Sequence, residues 1–287
     1  MSTFMQDRKS IIPLCLIWGL FVVAYFPAAQ ILVSQWTARE DYSHAFLMVP
    51  IIGYMVWLKR GSLHKQQSQS QRIASIVILT LSTLFYLLAS KFHFLSVINL
   101  SMVISLLTLL LYFLDFNSLK KLGTPILLML LLIPIPNQFY STITVPLQLK
   151  VSQLSGFLIQ LLNVPLFREG NILYIPNKTF EVIDACSGMR YIISMTTLSL
   201  LLGYFTLNKT LSKIILVVFA VPIAILVNTI RVITLVLAFH YSQIDLTTGT
   251  AHTLTGVIIF GIAILTLLLL QRILEFWENR QTKNYSI

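Results

Sequence analysis

The sequence predicts an all-α integral membrane protein of about eight transmembrane helices, within a range of roughly seven to nine. Two observations predict it. Of 287 residues, 56% are hydrophobic and only 10% are charged, whereas soluble domains carry about 25% charged residues. The mean hydropathy is +0.83, and the apolar residues are gathered into long runs. These runs lie near 11–33, 45–58, 73–90, 93–114, 122–137, 189–207, 212–241 and 253–272. A helix needs about 20 such residues to cross about 30 Å of hydrocarbon.

The first run is too long for a cleaved leader and lacks a small-residue cleavage site, so it reads as a retained helix. The run 45–58 is short. The run 122–137 is weak, because "TPILLMLLLIPIP" ends in two prolines. An amphipathic stretch near 144–164 reads as interfacial or as a further crossing. Only "KRGSLHKQQSQSQR" (59–72) resembles a polar linker, and no extra domain is legible after the last run. The whole chain, 1–287, therefore reads as a single multi-pass domain.

The formal charge of +10 is read as topology rather than as nucleic-acid binding, because basic residues mark cytoplasmic loops. With both termini inside, the inner segments hold thirteen basic residues: Arg8, Lys9, Lys59, Arg60, Lys65, Arg72, Lys120, Lys121, Lys209, Lys213, Arg272, Arg280 and Lys283. The outer segments hold five: Arg39, Lys91, Lys150, Arg168 and Lys178. This orientation puts 138–188 outside as the largest non-cytoplasmic segment. Its part 168–188 reads as turn-rich and partly β-like, ending where the sixth run begins. Ser187 and Gly188 are the expected N-cap and helix start there.

Cys186 then sits at the outer mouth of that helix. Cys15, the second of two cysteines, falls near the inner end of the first run. The two are too far apart for a disulfide, which needs Cα atoms within about 7 Å. Read alone, Cys186 is either a small buried hydrophobe or a nucleophile whose thiolate is favoured at a helix N-terminus. Arg190, one turn further on, is either a snorkelling arginine holding lipid phosphate or part of a site. Arg231 lies 17 residues past Ile214, about 26 Å up its helix, level with Cys186. Asn228 shares its face. A charge inside an apolar run is costly and faces a cavity or a partner. His252 opens the last run from outside, where His44, His93 and His240 also fall. A thiol, a guanidinium and an imidazole on one side of a membrane can together perform acyl transfer.

Four stretches give this pattern a family resemblance: "WTAREDYSHAFLMVP" (36–50), "FREGNILYIPNKTFEVIDACSGMR" (167–190), "NTIR" (228–231) and "HTLTG" (252–256). In their order and extent they resemble the exosortase/archaeosortase family of membrane cysteine transpeptidases. The resemblance implies Cys186 as nucleophile, forming an acyl thioester, with Arg231 as oxyanion stabiliser and His252 as general acid and base. Arg190, Asn228, Ser187, Asp184 and His44 are the implied supporting residues. Asp184 stands where the family has Glu, and Ala45 where it has Gly. The implied substrates are exported proteins ending in a short motif (Pro-Glu-Pro in bacterial systems), a transmembrane helix and a basic tail. The implied acceptor is an amine or a surface molecule tied to exopolysaccharide, and the implied location is a bacterial inner membrane with the site facing the periplasm.

Other readings stay open on the sequence. A non-enzymatic transporter or assembly partner in polysaccharide export would use Arg190 and Arg231 to hold an anionic lipid-linked sugar. A membrane O-acyltransferase would use a histidine without the thiol. No cofactor or metal is expected: HExxH is absent, the two cysteines cannot share a zinc, and there is no P-loop.

Overall fold

The computed structural model describes residues 2–64, 68–182 and 188–284, with side-chain surroundings for those between 15 and 281. Ten helices account for most of it. They are α1 (Ser2–Ala38), α2 (Ala45–Lys59), α3 (Gln69–Lys91), α4 (Leu95–Phe113), α5 (Phe116–Lys121), α6 (Gly123–Leu131), α7 (Asn137–Leu161), α8 (Met189–Thr206), α9 (Thr210–Ser242) and α10 (Gly249–Asn284). Single 3-10 turns cover Glu40–Tyr42 and Arg60–Ser62. Three short strands, β1 (Phe167–Glu169), β2 (Ile172–Ile175) and β3 (Lys178–Glu181), form an antiparallel sheet in that order. This sheet occupies the stretch read as β-like, and the rest is the helical membrane architecture expected.

Among the described residues, five helical segments are long and apolar enough to cross a membrane: Cys15–Ala38, Gln69–Lys91, Leu95–Phe113, Thr210–Ser242 and Gly249–Gln281. Three expected crossings fall outside these five, although α2 and α8 match their expected runs to within one residue. α2 has 15 residues, about 22 Å at 1.5 Å per residue. α6 has nine, because Pro134 and Pro136 follow it and the residue before a proline is driven out of the helical region. α8 has 18. The amphipathic stretch 144–164 lies largely in α7, which runs 25 residues and continues through Pro146.

The helices fall into two compact units. One comprises 1–39 and 45–134, the other 40–44 and 135–287. In the first, polar side chains join apolar helices. Tyr25 on α1 and Ser82 on α3 both reach Ser105 on α4, at 2.6 and 2.7 Å. Asn99 donates to Gln35 at 2.6 Å, and Trp36 donates Nε1–H to the Leu132 carbonyl at 2.8 Å. Hydrocarbon offers polar groups no water, so such pairs form between helices.

In the second unit α9 is the centre. One stretch of it packs Val232, Leu235 and Val236 against Val151 and Ile159 of α7 and against Leu173, Ile175 and Phe180 of the sheet. The other packs Leu216, Ala220, Ala224 and Val227 against Tyr191 and Met195 of α8 and Ile259, Ala263 and Leu267 of α10. α7 is inside-out relative to a soluble amphipathic helix. Thr144, Gln148, Ser152 and Ser155 are buried, while Phe139, Ile143, Phe157 and Leu161 are exposed. That polarity suits lipid outside and close helix packing inside.

α9 begins under a carboxylate from the far end of α10. Glu278 is buried and accepts from the backbone N–H of Asn208 and of Lys209, both at 2.9 Å. These are donors that the start of a helix leaves without intrahelical partners. Glu278→Ala is expected to cost about 1–3 kcal/mol, the penalty of stranding buried donors. Glu278→Gln, which keeps an acceptor, should cost less. Thermal unfolding in detergent checks the order.

Candidate active site

Arg231 and Asn228 lie three residues apart on α9 and both point inward. Asn228 is fully buried and Arg231 is 6% exposed. A guanidinium at that depth must be met by acceptors or by a π face. Its Nη2 lies 2.9 Å from Nε2 of His252 on α10. Its carbon sits 6.0 Å from the centre of the Tyr191 ring on α8. Gly256, one turn beyond His252, lines the same space: a Cβ there would stand in ordinary contact with Arg231, 3.5 Å from Nη2.

Contacts at both ring nitrogens together set the tautomer of the imidazole. Arginine only donates, so Nε2 is the acceptor and Nδ1 carries the proton. Nδ1 faces the Leu246 carbonyl at 3.3 Å. The histidine is thus held from both sides, with Nε2 turned toward the buried arginine. Three helices supply this cluster, and the sequence spacing that signals it is the Asn228–Arg231 face and the His252–Gly256 turn.

The start of α8 is brought to the same place by backbone geometry. Gly188 precedes the helix with φ +87°, and a Cβ on it would lie 3.2 Å from Nδ2 of Asn228. Gly188 is therefore the residue that caps the start of α8, and it does so without a side-chain bond. Cys186, Asp184 and Ser187 lie outside the described residues.

Arg190 lies on the outer flank of α8. It ion-pairs with Glu40, and its Nε is 3.6 Å from Oδ1 of Asp41. Tyr140 donates its hydroxyl to the other Asp41 oxygen at 2.6 Å, and Tyr42 accepts from the Ile135 N–H at 3.1 Å. The turn 40–42 is thereby pinned to α8 and α7. His44, at the end of this turn, has a buried Nε2 without a hydrogen-bond partner among the described residues. Burial pushes its pKa below 6.5, against the opposing pull of the Asp41 backbone and carboxylate.

The sequence reading singled out Arg190 and His44 but missed Glu40 and Asp41, which sit beside His44 in the same quoted stretch. It also missed Tyr191, Gly256 and Leu246. An aromatic ring and a glycine carry no charge signal, and a backbone carbonyl carries no sequence signal at all. Cys15 is an exposed residue of α1.

Gly188→Ala is expected to cost about 1–2 kcal/mol through the left-handed backbone alone. It also forces Asn228 to move, so activity should fall further than stability, as paired melting and processing assays can establish. His44 gives a pH signature. Its folded pKa is depressed, so the unfolded chain binds more protons as pH falls below about 6.5. The neutral form's contribution is present above that value and is lost on acidification. Melting temperature measured from pH 7.5 to 5 should decline more steeply in the wild type than in His44→Gln.

A family model described as transmembrane exosortase matches residues 36–269. Neither the curated proteins nor the solved structures provide a match. The matched span begins at Trp36 and includes the 40–42 turn, the sheet, Asn228, Arg231 and His252. With most of its 287 residues inside that match, the chain belongs to the transmembrane exosortase family.

Proposed function

We propose that this protein is a membrane-embedded cysteine protease and transpeptidase that removes C-terminal sorting signals from exported proteins. Family membership supports a membrane transpeptidase-type function in general terms. The observation that carries the finer reading is the 2.9 Å contact between buried Arg231 and Nε2 of His252. It puts a permanent cation and a proton acceptor within one hydrogen bond of each other, beside the helix that follows Cys186.

In this reading the Cys186 thiol loses its proton to Nε2 of His252, and its sulfur attacks the scissile carbonyl carbon. Nε2 then no longer accepts from Arg231. The freed Nη2–H donates to the carbonyl oxygen as that oxygen gains charge. Collapse of the tetrahedral species breaks the C–N bond, and the imidazolium returns its proton to the leaving amine. An incoming amine or water attacks the thioester, gives its proton to Nε2 and restores the thiol. Asn228 holds the Gly188 end of α8, and Arg190 holds the 40–42 turn.

The proposed substrates end in a Pro-Glu-Pro-type motif, a transmembrane helix and a basic tail, and the proposed acceptor is an amine or an exopolysaccharide-linked surface molecule. The orientation belongs to the same proposal. The chain crosses a bacterial inner membrane about eight times, with α2 and α8 as shorter crossings, α6 completed as a crossing by the 132–136 segment that follows it, both termini inside and the site facing the periplasm. The 13-to-5 basic asymmetry supports it.

Trapping tests the chemistry. Purified enzyme is incubated with a peptide carrying Pro-Glu-Pro, quenched in acid and examined by mass spectrometry for a thioester on Cys186. Processing that persists in Cys186→Ala would return the chain to a binding role in polysaccharide export. Arg231→Lys is expected to lose activity nearly as fully as Arg231→Ala, on the order of 10²–10³-fold in rate. An ammonium cannot reproduce the planar fork. A near-normal Lys variant would reduce Arg231 to a general positive charge.

A further inference from the structure

The loop between α9 and α10 carries the carbonyl that fixes His252, and that loop is itself tied to the sheet. Lys178, the first residue of β3, lies with Nζ 2.6 Å from Oδ2 of Asp245 and 3.4 Å from the hydroxyl of Thr247. The other Asp245 oxygen accepts from the Thr247 N–H at 2.9 Å and from its hydroxyl at 2.5 Å. The residue enclosed between Asp245 and Thr247 is Leu246. Its side chain packs against the core formed by α7, α9 and the sheet, and its carbonyl meets Nδ1 of His252.

We propose that Lys178 and Asp245 are positioning residues for His252. Their ion pair clamps the 245–247 turn so that Leu246 offers its carbonyl to Nδ1, which keeps Nε2 free of the proton and available for exchange. The inference rests on the proposed acid–base role of His252. It goes beyond it by assigning a function to a contact remote from the reacting atoms.

Three features distinguish this pair from an ordinary surface salt bridge, which contributes little. Lys178 is only 18% exposed. Its ammonium also lies over two rings, 5.1 Å from the centre of Phe180 and 4.8 Å from that of Phe239, so its position is set before the carboxylate is added. Lys178 and Thr247 hold the Asp245 carboxyl, itself 44% exposed, below the usual carboxylate range. The mechanical link is short as well. β3 ends at Glu181, five residues before Cys186 in sequence, so one strand both anchors the histidine loop and leads toward the nucleophile.

A neutral imidazole has two tautomers, and the hydrogen bond at one nitrogen decides what the other can do. With Nδ1–H on Leu246, Nε2 accepts. If the turn drifts, Nδ1 loses its acceptor and the proton can move to Nε2, where it would face the Arg231 guanidinium and block proton uptake. Loss of one such hydrogen bond corresponds to about tenfold in rate.

The test uses full-length enzyme in detergent and a reporter ending in Pro-Glu-Pro, a transmembrane helix and a basic tail. Lys178→Met keeps an unbranched apolar side chain beside Phe180 and Phe239 and removes the charge. Asp245→Asn keeps an acceptor for Thr247 and removes the ion pair. Both are expected to lower kcat about tenfold with KM nearly unchanged, and Lys178→Arg should recover most of the loss. Melting temperatures are measured on the same preparations. Wild-type kcat in Lys178→Met overturns the proposal, and so does a loss that merely follows the unfolded fraction. Cys186→Ala and His252→Ala are assayed in parallel. If either still processes the reporter, the catalytic reading itself fails. If both are inactive while Lys178→Met is normal, only the positioning role fails.

Discussion

A guanidinium buried in an apolar helix is the constraint around which the second unit is organised. Arg231 cannot shed its charge, and moving an unpaired ion out of water is prohibitive. Three neighbours answer that demand. Nε2 of His252 accepts from it, the Tyr191 ring lies within cation–π range, and Gly256 lies alongside the planar group. α8, α9 and α10 are fixed relative to one another by the apolar cluster below, from Tyr191 to Leu274. The electrostatic arrangement therefore rests on packing that holds three helices in place, and a site on rigid elements is more exact than one on loops.

Loops and turns then orient what the helices carry. The 40–42 turn is a small polar hub in which Arg190, Tyr140 and Asp41 engage one another across long sequence separations. The sheet packs on α7, where Gly156 admits Leu166, Arg168 and Leu173 at about van der Waals distance from a Cβ position. Through Lys178 it also reaches the α9–α10 loop. These contacts use few residues, yet they tie the 40–42 turn to α7 and α8 and the α9–α10 loop to the sheet. In a chain with only ten acidic residues, three of them, Glu40, Asp41 and Asp245, form these ties.

Much of this was legible in the sequence, and for a simple reason. Apolar run length reports membrane crossing because lipid leaves backbone groups only helical partners. The runs at 73–90, 93–114 and 212–241 reappear as α3, α4 and α9 to within a few residues. Charge inside such a run is conspicuous, which is why Arg231 and Asn228 stood out. The run at 122–137 was less faithful. Its two prolines already marked it as a weak crossing, and with Pro134 and Pro136 following, the helix stops at Leu131. Local backbone restriction outweighed composition there. The short run at 45–58 reappears as α2, Ala45–Lys59, only one residue longer.

By itself the sequence determined the helical membrane class, the inward face of α9 and the family-like order of its motifs. Each of these depends on local chemistry that a linear pattern preserves. Only the tertiary structure decided which groups meet. That Arg190 pairs with Glu40 and Asp41, that Arg231 donates to Nε2 of His252, and that Leu246 rather than a side chain holds Nδ1 are facts of helix packing and loop closure. Such contacts join residues up to 150 positions apart. The free energy selecting them comes from satisfying buried polar groups in three dimensions, and no spacing along the chain encodes that requirement.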